Sequence, residues 1–427
     1  MMNSKCIDEF ICLSDIAEIN PPRKSALKIE GDTEVSFISM SDTTESGRWL
    51  SKQTRPYREV RQGYTSFAEG DVLFAKITPC TENGKGCLAV GLKNGVGYGS
   101  TEFHVLRASK DGDNGFIFQW SIAKPLRQKA AASMTGSAGQ QRVPASFFSQ
   151  YKIPKIPKTE QTQIAAILST IDRAIEQTEA IIAKQQRIKT GLMQDLLTKG
   201  IDEDGNVRSE ATHAFKDSPL GRIPVEWEVE VFGNRVKSSA FGPRFPSTAY
   251  SEKGSFAVLR TTDLDPEGKI SYEQMPLTNL PEKEFEKHIL ESGDLLITRS
   301  GTCGVPAVFG SFDVPTIPGA FLIRFRLNED SIKPRYAHIY FNWDIGRKRL
   351  LDLAEGGVQK NLRGSTINQM LFVFPNIKEQ ERIIERFNAV EFEKNLILEH
   401  LKKLNSLKTG LMQDLLTGNV RVTAYTQ

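Results

Sequence analysis

Ten residues occur twice in this chain, letter for letter. Lys189-Thr-Gly-Leu-Met-Gln-Asp-Leu-Leu-Thr198 returns as Lys408-Thr-Gly-Leu-Met-Gln-Asp-Leu-Leu-Thr417, an offset of 219 residues in a chain of 427. Glu160-Gln161 returns as Glu379-Gln380 at the same offset, so the stretch between pair and decapeptide aligns without a gap. A repeat of this length requires two structurally equivalent halves, each ending in a similar element. Elsewhere the halves differ strongly, which suggests one chain that reads two different things.

The segment before each decapeptide is a heptad seam. Ile164, Leu168, Ile171, Ile175, Thr178, Ile182, Gln185, Lys189, Leu192 and Leu196 follow alternating steps of four and three. Ile383, Phe387, Val390, Lys394, Ile397, Leu401, Leu404, Lys408, Leu411 and Leu415 repeat them. Pro154 and Pro157 bar an earlier helix start, because proline disfavours α geometry in the residue before it. The spacing predicts a helix of about 38 residues, or ~57 Å at 1.5 Å per residue. Thr178, Gln185 and Lys394 interrupt the seams, and polar seam positions fix register at a cost in stability. Gly191 and Gly410 lie inside the helical runs at a cost of ~1 kcal/mol each, so a close helix contact is expected there. Leu192, Leu196, Leu411 and Leu415 join these glycines as the candidate packing and partner-docking residues.

The chain divides as 1–157, a helical spacer 158–200, a polar linker 201–218, 219–376, a second spacer 377–418 and a tail 419–427. Residues 1–157 alternate short β-rich runs with Gly, Pro, Asn and Ser. Asp71–Ala75 and Glu102–Arg107 are the clearest strands, and a helix is expected over Gly115–Ala132. Glu291–Ile297, Phe321–Arg326, Ala354–Gln359 and Phe372–Pro375 reproduce the plan in the second half.

Several functional classes find no support. No apolar run nears the roughly 18 residues that span a bilayer, and Met1–Phe10 is unlike a signal peptide, so a cytoplasmic protein is expected. The five cysteines form no Cys-x-x-Cys pair and the five histidines no ligand pair, which favours reduced thiols and no metal site. The net charge of +3 permits nucleic-acid binding without arguing for it. Asn20-Pro-Pro-Arg23 is similar to the Asn-Pro-Pro-aromatic loop of DNA amino-methyltransferases, but Arg23 stands where the aromatic should be. It reads as a turn. Gly95-Val-Gly-Tyr-Gly99 lacks the third glycine of a dinucleotide fingerprint and reads as a loop. Glu267-Gly-Lys269 sits in a Pro/Gly turn, not in the strand of a nuclease motif.

What remains are loops rich in hydrogen-bonding groups at equivalent places. Lys76 and Thr78 follow the Gly-Asp strand of the first half, as Arg299 and Ser300 do in the second. Gln141 and Arg142 precede the first helix, as Lys360, Asn361 and Arg363 precede the second. Such side chains read base edges and grip phosphates, and their recurrence makes them the candidate DNA-binding residues.

The layout resembles the specificity subunit of a type I restriction–modification system over essentially the whole chain. The carriers are the two decapeptides, the Pro-x(2,3)-Glu-Gln lead-ins at Pro157 and Pro375, the Gly-Asp-Val-Leu-Phe-Ala-Lys-Ile-Thr-Pro-Cys run at 70–80 and Leu220-Gly-Arg-Ile-Pro-Val-Glu-Trp227. The resemblance implies an α+β fold: two α/β target-recognition domains, 1–157 and 219–376, joined by two long antiparallel conserved helices as a pseudo-two-fold internal repeat. It implies a non-catalytic subunit that recognises a bipartite, asymmetric site in double-stranded DNA. Adenine methylation and cleavage would be directed to partners: two modification (methyltransferase) subunits and restriction (motor and nuclease) subunits. No cofactor is implied for this chain; S-adenosylmethionine, ATP and Mg are expected on the partner subunits, and no membrane is involved. The rivals are a stand-alone DNA methyltransferase using Asn20-Pro-Pro and a non-DNA coiled-coil adaptor.

Overall fold

The computed structural model describes residues 9–22, 29–137, 139–356 and 360–422. Cys6, Arg23 and Gln359 lie outside them. Two compact units emerge, and their boundaries fall inside the long helices rather than between the two sequence repeats. One comprises Met1–Ala180 with Leu398–Gln427, the other Ile181–Ile397. Both predicted long helices form, over Lys158–Thr198 and Ile377–Leu416. Each unit therefore holds the start of one long helix and the end of the other.

Two four-stranded sheets build the first unit. One has the order Ala17–Ile19, Phe103–Ala108, Val72–Ala75, Gly86–Leu88, all antiparallel. The other has the order Gln53–Pro56, Glu34–Ile38, Val96–Gly99, Thr65–Ala68, with a parallel pair in its centre. Gly95–Gly99 is thus mostly strand rather than the expected loop. A Cβ at Gly97 would lie 2.0 Å from the Phe67 ring and one at Gly99 2.3 Å from Ile38 O, so the glycines serve strand packing. The single helix expected over 115–132 is two, Asn114–Ile122 and Lys124–Ala132. Ala123 is extended, as the residue two before Pro125 caps a fresh helix start.

The second unit repeats the first sheet strand for strand: Val236–Phe241, Leu322–Leu327, Leu295–Thr298, Pro306–Val308. Its other sheet keeps a parallel pair, Phe256–Leu259 with Thr316–Pro318, but differs at the edges. The Gly-Asp motif now has a structural account. Asp71 accepts Nε and Nη2 of Arg107 from the next strand at 2.8 and 2.7 Å, and Asp294 accepts the same two atoms of Arg326 at 3.0 Å each. Arg326 lies 219 residues after Arg107.

The long helices run antiparallel within each unit. In the first, Ile164 and Leu168 share a core with Leu415 and Leu416, and Lys408 Nζ lies 2.6 Å from Asp172 Oδ1. In the second, Lys189 Nζ reaches Glu391 Oε1 at 3.1 Å and Lys394 Nζ reaches Gln186 Oε1 at 3.0 Å. Lys408 and Lys189 are the same residue of the decapeptide, and Asp172 and Glu391 are also 219 apart. One ion pair is thus the repeat of the other. Thr178 and Lys189, polar seam members, are buried, as the heptad phase requires.

The close helix contact expected at Gly191 and Gly410 is absent. Both are exposed, and a Cβ on either would meet nothing within 4 Å. Leu196 and Leu415 are instead buried in the cores of their own units, with Leu192 and Leu411 packed at the edges. Among the described residues no helix is long and apolar enough to cross a membrane.

Candidate nucleic-acid interface

The Glu-Gln pair at each helix start ties helix to domain. Gln161 Oε1 accepts Asp113 N at 3.0 Å while its amide donates to Ile156 O at 2.8 Å. Gln380 Oε1 accepts Lys333 N at 2.8 Å and its amide donates to Pro375 O at 2.8 Å. The glutamates hold the chain that follows the other helix. Glu160 accepts Nε and Nη2 of Arg421 and the backbone N–H of Val422. Glu379, fully buried, accepts from Arg208, from Ile201 N at 3.0 Å and from the Trp227 indole at 3.1 Å. The stretch expected as a polar linker therefore contains a buried anchor, Arg208. An isolated arginine among Asp, Glu and Ser carries no periodic signal, which is why its role was not legible.

In each unit the loop that leaves the Gly-Asp strand is bonded through its carbonyls by an arginine. Arg127, buried without a carboxylate, donates to Ser121 O, Thr81 O and Lys85 O and lies 3.8 Å over the Phe74 ring. Burial pulls its pKa down to about 9. Arg347 does the equivalent in the second unit, donating to Gly304 O at 2.7 Å and Pro266 O at 2.9 Å. Desolvation lowers its pKa too.

The structure brings the two candidate loops together in both units. Thr78 N donates to Gln141 O at 3.0 Å and Val143 N to Lys76 O at 2.9 Å. Leu362 N donates to Arg299 O at 2.9 Å. Arg142 is gripped by Glu102 through Nε and Nη2, the latter at 2.7 Å, and its Nη1 donates to Gln140 O. The ion pair raises the Arg142 pKa; with Arg142 on it, the Glu102 carboxyl falls below its usual range. Arg299 lies 4.3 Å over the Phe241 ring and donates to Asn361 Oδ1 at 3.2 Å. Gln141 and Lys360 are exposed, Ser300 is half-buried beside Arg299, and Thr78 donates to Glu82 at 2.6 Å. Arg363 pairs on the surface with Glu355 at 2.7 Å.

Asn20 and Glu267, the residues of the two catalytic motifs weighed in the sequence, each have partners within the fold. Asn20, at φ 49°, accepts Val105 N at 3.0 Å with its side-chain oxygen and contacts His104 Nδ1 at 2.9 Å with its nitrogen. Glu267 lies in a turn, bonded to Lys189 Nζ at 2.7 Å. Among the described residues no group of three or more His, Cys, Asp or Glu could hold a metal ion, and Cys12, Cys80, Cys87 and Cys303 are free thiols.

Comparison with known proteins gives a consistent picture. The family model described as type I restriction modification DNA specificity domain matches twice, at residues 9–185 and 224–409. The specificity subunit of the Escherichia coli type I restriction enzyme EcoEI is 28% identical over 453 residues, covering 84% of this chain and 74% of the relative. That of E. coli EcoAI is 39% identical over 189 residues, covering 43% of this chain and 32% of the relative. Among solved structures, the type I S subunit from M. genitalium matches in fold with a TM-score of 0.57 at 14% identity, covering 97% of this chain and 98% of that one. A chain from a structure of type I R-M complex assembly and conformational transition matches with a TM-score of 0.58 at 17% identity, covering 96% and 98%.

Proposed function

Since the chain belongs to the family of type I restriction–modification specificity subunits, we propose that it reads a bipartite, asymmetric site in double-stranded DNA. Residues 1–157 would read one part and 219–376 the other. The observation that carries this is the paired loops: the same two loops meet on the same strand scaffold in each unit, with unlike side chains. One scaffold with two chemistries is what two different half-sites require. The chain itself is assigned no catalysis. Methyl transfer from S-adenosylmethionine falls to two modification subunits, and ATP- and Mg-dependent cleavage to restriction subunits. Two copies of one partner are supported by the exposed Thr190, Gly191 and Gln194, which recur identically and exposed as Thr409, Gly410 and Gln413. Internal packing does not demand that exposed residues be identical.

The test is methylation of a randomised DNA library by the chain reconstituted with modification subunits. A two-part motif with an unspecified spacer is expected, with affinity falling steeply with salt. A contiguous motif refutes the bipartite reading. Methyl transfer by the purified chain alone would favour the stand-alone methyltransferase, although the side chain of Asn20 is already bonded within its own domain.

A further inference from the structure

Three positions in each unit are held together by matching backbone bonds. Lys76 N donates to Glu102 O at 2.9 Å, as Arg299 N donates to Phe321 O at 2.9 Å. Val143 N donates to Lys76 O, and Leu362 N to Arg299 O, both at 2.9 Å. Positions 102 and 142 stand 219 residues before 321 and 361. The scaffold thus presents Lys76, Glu102 and Arg142 in one unit, and Arg299, Phe321 and Asn361 in the other.

Core packing does not explain the difference. Phe321 is 58% exposed and the Arg142 side chain 42% exposed. In the first unit Glu102 fixes the guanidinium through Nε and Nη2. With Nη1 on Gln140 O, one N–H on each terminal nitrogen is left uncommitted. A carboxylate-braced arginine is a rigid fork of the kind that pairs with O6 and N7 of guanine. In the second unit the braced residue is an amide. Arg299, over the half-exposed Phe241 ring, donates to Asn361 Oδ1 and so holds the oxygen end of that amide. Asparagine pairs with adenine N6 and N7, and an exposed aromatic ring such as Phe321, whose carbonyl accepts the Arg299 N–H, suits the thymine methyl.

From these matched positions we infer that they are the base-reading triplets of the two domains, the first reading a G·C pair through Arg142 and the second an A·T pair through Asn361 and Phe321. Glu102 and Phe321, which no motif marks, set the difference. The inference rests on the DNA-reading role proposed above.

The full-length chain is reconstituted with modification subunits, and the methylated motif is read from a randomised library. Glu102→Gln removes the charged brace and should cut discrimination at one G·C position of one half-site by about 10- to 100-fold. The other half-site should not change. Phe321→Ala should relax one A·T position of the other half-site only. Arg142→Lys keeps the charge but loses the fork, and should repeat the Glu102→Gln result. Thermal unfolding of each variant confirms that it is folded; the exposure of Phe321 and Arg142 keeps at least these two informative. Unchanged motifs in all three variants overturn the inference, as does a uniform loss across all sequences, which marks a phosphate grip. A wild-type complex with no bipartite motif would instead sink the DNA-reading role itself.

Discussion

Replacing Glu379 by alanine tests the buried anchor at the second helix start. In the native chain its carboxylate has no solvent exposure and the Arg208 side chain is 8% exposed. Removal leaves a buried guanidinium, the Trp227 indole N–H and the Ile201 amide without their acceptor. Breaking a buried pair from one side costs about 3–5 kcal/mol. At about 2–4 °C per kcal/mol for a unit of this size, its unfolding should fall by about 6–20 °C. Glu160 does the same job in the first unit, but its partner Arg421 is 35% exposed and can turn to water. Glu160→Ala should therefore cost only about 1–2 kcal/mol, chiefly for the orphaned Val422 amide. Calorimetry of the full chain at pH 7 measures both. The double change Glu379→Leu with Arg208→Leu should recover most of the loss, because no charge is then left buried. Equal losses for Glu160→Ala and Glu379→Ala would refute the argument that burial sets the cost.

Three further outcomes are expected. Gly191→Ala and Gly410→Ala should each raise the stability of the isolated chain by about 1 kcal/mol in urea unfolding, since a Cβ meets open space on a helix; if these faces dock modification subunits, the same variants should weaken that association in a titration. His338 is buried against Arg335, Asn342 and the Glu267 carbonyl with Lys189 and Arg347 near, and desolvation first, then Arg335, pull its pKa down to about 3. A depressed folded value means stability is lost as pH falls from about 6.5 towards 3, so His338→Gln, the residue found 219 positions earlier at Gln119, should flatten that stretch of the pH–stability curve. Lys189→Met leaves Glu267 half-exposed with Lys394 still near and Glu391 still paired with Arg335, so it should cost only about 1 kcal/mol by urea unfolding. Burial raises the Glu267 carboxyl, but Lys189 and Lys394 together outweigh it and the net shift is downward; the wild type loses that contribution as pH falls below about 4.3, and the variant should lose less.

The long helices, the Gly-Asp strands and the correspondence of the polar loops between the halves were legible in the residues, because each follows a short period, a shared motif or an offset of 219. The misread elements share one cause. Gly191 and Gly410 suggested a close contact, Ala123 a continuous helix and Gly97 a loop, yet each was settled by what lies opposite in space: open solvent, a fresh helix start at Pro125, and the ring of Phe67. Arg208 and Arg127 were invisible for the same reason. A lone arginine has no period, and only the distant carboxylate or carbonyls it meets define it.

The sequence by itself determined that the chain is a repeat, where its helices run and which polar positions the halves share. Heptad phase and identical decapeptides are local properties, carried by neighbouring residues. The tertiary structure alone decided that each compact unit joins the start of one long helix to the chain that follows the other, through Glu160 with Arg421 and Glu379 with Arg208. It also decided that Glu102 meets Arg142 and that Arg299 meets Asn361. Both facts depend on residues brought together across scores to hundreds of positions, where no local pattern records the pairing and burial with its hydrogen bonds selects it.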